Sequence, residues 1–161
     1  MNWSRVKRVF LILGVLAVVA QFVQPRQTNP PIVESRTLKA HVQITPQVEA
    51  IMDRSCINCH SNRTVWPWYG HVAPFSWVVV DDVNEGRRHF NLSDWEAQNS
   101  PKEASDHLAL VCKEVRDGAM PPISYRIIHK ESQLSSDDIN VLCSWVQNLV
   151  GPPASDQNRQ N

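Results

Sequence analysis

The chain has 161 residues, enough for one domain once its ends are set aside. Its 16 Lys+Arg balance 16 Asp+Glu, so the formal charge is zero, which excludes a broad phosphate-binding surface; no nucleic acid partner is expected. Three of the cations, Arg5, Lys7 and Arg8, stand at the N-terminus and no acid precedes Glu34, so the remainder, with 13 Lys+Arg against 16 acids, is slightly acidic.

Residues 1–24 read as a targeting segment. The basic stretch leads into the unbroken apolar run Val9 to Ala20, then Gln21, Phe22 and Val23. Positive charge before an apolar run keeps the N-terminus in the cytoplasm and exports the chain beyond it, so the expected location is the periplasmic side of the cytoplasmic membrane. The run is short beside the roughly 20 apolar residues of a span, and Val18-Val19-Ala20 lacks small residues at both key cleavage positions. Both an uncleaved N-terminal membrane segment and a cleaved signal peptide remain open. A buried core helix is a poor reading, because nothing polar marks a second face. Residues 25–39, with Pro25, Pro30 and Pro31, read as an extended tether holding the domain off the membrane.

Residues 40–150 read as helices joined by long loops. The first helix opens with Thr45 as N-cap and Pro46 inside it. Val48, Ile51, Met52 and Ser55 share one face, and Cys56 to His60 lie at its C-terminal end. A second helix is expected within Phe75–Phe90, ending near Arg88, followed by a turn at Asn91-Leu92-Ser93-Asp94-Trp95. The third begins at the capping box Ser100-Pro101-Lys102-Glu103 and stops at Gly118, with Ala104, Leu108, Val111, Cys112 and Val115 as its apolar stripe. The last is capped by Ser135 and Asp138, turns Ile139, Leu142, Cys143 and Val146 inward, and stops at Gly151-Pro152. No run alternates as a strand does and no repeat is visible, so the fold class is all-α. Residues 151–161 read as a disordered tail.

Cys56-Ile57-Asn58-Cys59-His60 is the c-type haem attachment pattern. Two thiols three positions apart can add to the two vinyl groups of one haem, which sets the adjacent imidazole beneath the iron as the proximal metal ligand. A thioredoxin-like redox pair would need a strand before the motif, and zinc would need a second Cys/His pair at ligand spacing. Neither is present. For the sixth position the best choice is Met120, in the stiff loop Gly118-Ala119-Met120-Pro121-Pro122 rather than on a helix face. His71 and His129 are the alternatives, and an open position is a third; Met120 as core filler is the bland reading. His41, His89 and His107 read as surface or packing histidines. Trp66, Trp68, Tyr69 and Trp77 read as a haem wall with a donor for a propionate, or as plain core aromatics. Arg87 and Arg88 read as propionate partners or as a solvated patch. Cys112 and Cys143 are an even pair left over in an oxidising compartment, so a disulfide between them is expected, with two small buried hydrophobes as the bland reading.

From His60-Ser61-Asn62 into Trp66-Pro67-Trp68-Tyr69, then Val72-Ala73-Pro74, Ser76-Trp77, Asp82-Val83, Glu85-Gly86-Arg87 and Asn91-Leu92-Ser93-Asp94-Trp95, the chain resembles the bacterial haem-binding domain family of exported cytochrome-c-like proteins. Gly118 to Pro122, Tyr125, His129 and Leu134-Ser135 continue the pattern, which covers roughly residues 40–147; Cys112 and Cys143 stand outside it. The resemblance implies a small cytochrome-c-like helical domain with one covalent haem c on Cys56, Cys59 and His60, but neither a reaction nor a partner. With methionine and histidine on the iron, the expected activity is one-electron transfer with redox partner proteins outside the cytoplasmic membrane. The alternatives are a haem sensor or peroxidase-like module with an open sixth position, and a haem-containing interaction subunit of a membrane redox complex. No side chain is assigned a catalytic role.

Overall fold

The computed structural model describes residues 3–98 and 100–150, and among them there are helices and no strands, as the periodicities require. The tail 151–161 lies outside the described residues. The core forms where α3 (Pro46–Ser55), α7 (Pro101–Arg116) and α9 (Ser136–Val150) pack together. Val48, Ile51 and Met52 of α3, Leu108, Cys112 and Val115 of α7, and Leu142, Cys143, Trp145 and Val146 of α9 are all buried, joined by Leu38 and Trp95. Cys112 and Cys143 form a disulfide across α7 and α9, with Cα atoms 5.1 Å apart.

Each of these helices starts where its local chemistry says it should. Thr45 Oγ1 accepts the Val48 N–H ahead of α3. Ser100 and Glu103 exchange both bonds of a capping box. Ser135 Oγ accepts the Asp138 N–H while the Asp138 carboxylate accepts from Ser135. The stop of α7 is a Schellman turn: Gly118 sits at φ +70°, its N–H reaches Val115 and that of Ala119 reaches Glu114.

A smaller layer holds the motif. α4 (Ile57–His60) follows α3 after a break at Cys56, and α5 (Phe75–His89) packs along it. Short helices α2 (Leu38–His41), α6 (Trp95–Gln98) and α8 (Ile123–Ile128) complete the chain; neither α2 nor α8 is marked by periodicity.

The N-terminus departs from expectation twice. α1 (Trp3–Ala20) buries no residue, and no helix among the described residues is long and apolar enough to cross a membrane. The expected N-terminal membrane span is therefore not supported. Its apolar part, Val9 to Ala20, extends about 18 Å at 1.5 Å per residue, well below the ~30 Å of a hydrocarbon core, and Arg5, Lys7 and Arg8 occupy the rest of the helix. Residues 21–23 turn out of α1 and 24–31 have no regular secondary structure, as three prolines demand, but the segment does not hang free. The Gln21 amide pairs with both backbone groups of Ala73, Trp77 Nε1 donates to the Val23 carbonyl, and Gln27 and Asn29 donate to the carbonyls of Gly70 and Thr64. The segment is a strap across α5 and the loop after His60.

Candidate haem-attachment site

The motif is built by a helix that stops and restarts. Cys56 at φ −125°, ψ −45° ends α3, and the His60 N–H returns to its carbonyl, so both thiols and the imidazole leave one turn of backbone. Neither thiol is bonded to another sulfur, and both are half-buried. Burial pushes the Cys56 thiol up to about 12 and the Cys59 thiol up to about 11. A thiol–disulfide catalyst needs the opposite, a thiolate stabilised near neutrality, so the environment argues against redox chemistry at the pair itself.

His60 is oriented for metal binding. Its Nδ1–H donates to the Phe90 carbonyl at 3.0 Å, which fixes the ring and leaves Nε2 with a lone pair for a metal. Burial holds the imidazole below the ordinary histidine range, so it stays neutral. The same loop grips the backbone: the Leu92 N–H donates to the His60 carbonyl at 2.8 Å, and Asn62, Asn91 and Ser93 form a buried lattice behind it. Close beneath, a Cβ on Gly86 would lie 2.8 Å from the Cys59 carbonyl oxygen, so only glycine lets α5 approach.

Around this turn stand side chains whose exposure is unusual for their type. Trp68 is 79% exposed, Val65 73%, Ile123 64% and Ile127 63%. Tyr125 Oη accepts from Asn58 Nδ2 at 2.7 Å, tying α8 to the motif, and Met120, in the loop before α8, is 39% exposed. Two thiols, an oriented neutral imidazole and a fringe of apolar side chains fit one haem held by Cys56, Cys59 and His60.

Other expected residues have different work. His129 has both ring nitrogens engaged, Nε2 with Tyr69 Oη at 2.7 Å and Nδ1 with Glu131 at 3.1 Å. His71 is exposed and lines a shallow cleft with Gln24, Pro25 and Gln27 of the strap. In the aromatic block Trp66 is half-buried and Trp68 meets Tyr69 edge-on at 5.9 Å. The Tyr69 hydroxyl and the Trp77 indole N–H are already used, by His129 and Val23. Arg87 is a clasp: Nε donates to the Ser61 carbonyl, Nη1 to the Thr28 carbonyl, and Nη2 to Asn29 Oδ1 and Thr64 Oγ1, all within 2.7–2.8 Å. It is spent inside the protein rather than turned toward a propionate. Arg88 pairs with Glu85 on the surface.

The parts of the site that sequence reasoning missed are mostly backbone. The Phe90 carbonyl has no side-chain signature, and the strap's acceptors are main-chain oxygens. Asn62, Asn91 and Ser93 were visible only as pattern residues, with no sign of their partner. No curated protein and no solved structure matches the chain. The model of the haem-binding domain family matches residues 15–148, strap included, and the chain belongs to that family.

Proposed function

We propose that the domain carries one haem bound covalently through Cys56 and Cys59, with His60 and Met120 as axial ligands, and passes single electrons between partner proteins on the periplasmic side of the cytoplasmic membrane. The observation that carries this reading is the His60–Phe90 hydrogen bond beside two unpaired thiols: it presents one free imidazole nitrogen in a fixed orientation. When bound, the haem supplies the one-electron couple; the chain supplies its attachment, its ligands and an apolar fringe. Engagement of both His129 nitrogens favours Met120 over His129 as the distal ligand. Basic residues at the start of α1, ahead of its apolar run, support export.

The ferrous protein under carbon monoxide tests the reading. The parent should resist carbon monoxide, while Met120→Ala should bind it readily and show a lower reduction potential and no long-wavelength band of methionine-ligated ferric haem. Ready binding by the parent would favour the sensor or peroxidase-like alternative.

A further inference from the structure

We infer that the uncharged face where α1 meets the body, formed by Phe22, Val23, Val72, Phe75, Trp77 and Val78, rests on the lipid surface of the membrane. The inference rests on the export reading above, names what the N-terminal segment and the body do there together, and is independent of the haem. All six side chains stand in the open: Phe22 is 85% exposed, Val23 65%, Phe75 57%, Val78 55%, Trp77 42% and Val72 39%. A contiguous apolar patch of this kind marks a contact surface.

Two uncharged segments cross here. Residues 9–25 and 72–80 contain no Asp, Glu, Lys, Arg or His, and the structure fastens one to the other at two points. Gln21 Oε1 accepts the Ala73 N–H at 3.2 Å, and Gln21 Nε2 lies 3.3 Å from both the Ala73 and the Ala17 carbonyl oxygens. One side chain thus joins the last turn of α1 to the loop before α5. Trp77 Nε1 adds a bond to the Val23 carbonyl at 2.6 Å. Beyond the crossing, charge returns at Arg26 on one segment and Asp81 on the other, both exposed.

The cover for this face is set by the cover for α1. Leu11, Ile12 and Leu13 follow one another around that helix at 68%, 58% and 56% exposure, so it is apolar on every side. A protein groove covers one side of a helix, whereas lipid covers all of them. The medium that surrounds α1 reaches its C-terminal end, and there it meets the face, because no free tether intervenes. Length acts in the same direction. An apolar run of about 18 Å falls short of the ~30 Å hydrocarbon core, and a short segment draws its flanking groups into the interface. On one flank these are Arg5, Lys7 and Arg8; on the other they belong to the body. Trp77 is the residue type that membrane–water interfaces favour, an apolar ring with a satisfied N–H. The domain is pressed against the bilayer rather than held off it. Since the face has no cation, the contact is with the acyl boundary and needs no anionic headgroup.

The test places the full-length holoprotein in phosphatidylcholine vesicles doped with a phosphatidylcholine that carries a photoactivatable diazirine near the glycerol end of one acyl chain. Peptides labelled after illumination are mapped by mass spectrometry. Label should fall on residues 9–23 and also on 72–80, but not around Leu110, a solitary apolar side chain of α7 that is 48% exposed. Val78→Glu, at an exposed position, should lose most of the label on 72–80 and keep that on α1. Label on α1 with none on 72–80 would overturn the inference and leave a protein, a second copy included, as the cover. Equal label around Leu110, or label on 72–80 undiminished in Val78→Glu, would overturn it too. A chain unlabelled even on α1 would overturn the membrane placement beneath it as well.

Discussion

At Gly86 a methyl group would meet the Cys59 backbone at 2.8 Å, a contact that no side-chain motion relieves. Alanine is the better helix former by about 1 kcal/mol, yet the clash with a carbonyl outweighs that gain. Gly86→Ala should destabilise the protein by about 1–3 kcal/mol and reduce haem incorporation, read from the urea midpoint and the Soret-to-protein absorbance ratio. Arg87 stands next to it with four hydrogen bonds fanned over two chain segments. Lysine cannot reproduce that fork, so Arg87→Lys should lose nearly as much as Arg87→Ala, about 1.5–3 kcal/mol; full rescue by lysine would mean that charge alone matters. The Cys56, Cys59 and His60 pattern was legible in the sequence because it carries its chemistry in side chains at fixed spacing. The Phe90 carbonyl and the targets of Arg87 were not, because a main-chain acceptor looks the same at every position.

Among the elements, α3, α7 and α9 were legible because capping is local: Thr45-Pro46, Ser100 with Glu103 and Ser135 with Asp138 each lie within one turn. α2 and α8 were not, since helices this short are set by tertiary partners such as the Leu92 carbonyl on Leu38 and Asn58 on Tyr125. The strap was misread as a free tether for a related reason. Proline and polar residues describe an extended chain but not what lies beside it. The last helix also has a pH dependence. Hydrogen bonds from Ser135, followed by Arg54, hold the Asp138 carboxyl below the ordinary range. Its contribution is therefore present above the unfolded carboxylate value of about 3.9 and is lost as pH falls through the folded one. Asp138→Asn should flatten the acid limb of the stability curve. The Cys112–Cys143 bridge closes a loop with sequence separation 31. Replacing both cysteines by alanine should remove about 3–4 kcal/mol in the chain-entropy model; alkylation of the unfolded, unreduced parent should label neither thiol.

On the scale of the molecule, the core of α3, α7 and α9 is complete without the aromatic block at the motif. A Cys56→Ala, Cys59→Ala chain should accordingly keep its helical circular dichroism while losing covalent haem. Gln21 is bonded to Ala73 of the body, and α1 contributes no buried side chain. Removing residues 1–20 should leave the thermal midpoint unchanged, whereas removing residues 1–31 should lower it by stripping the partners of Arg87, Trp77 and Gly70. Covalent haem attachment is probed most directly by haem-stained denaturing electrophoresis of the exported protein, paired with its pyridine haemochrome spectrum. One haem should stay with the polypeptide, give the spectrum of a haem with both vinyl groups saturated, and disappear from the band when Cys56 and Cys59 are both alanine. Haem that extracts into acidic acetone from the parent, or that remains on the double variant, would contradict attachment at these two cysteines.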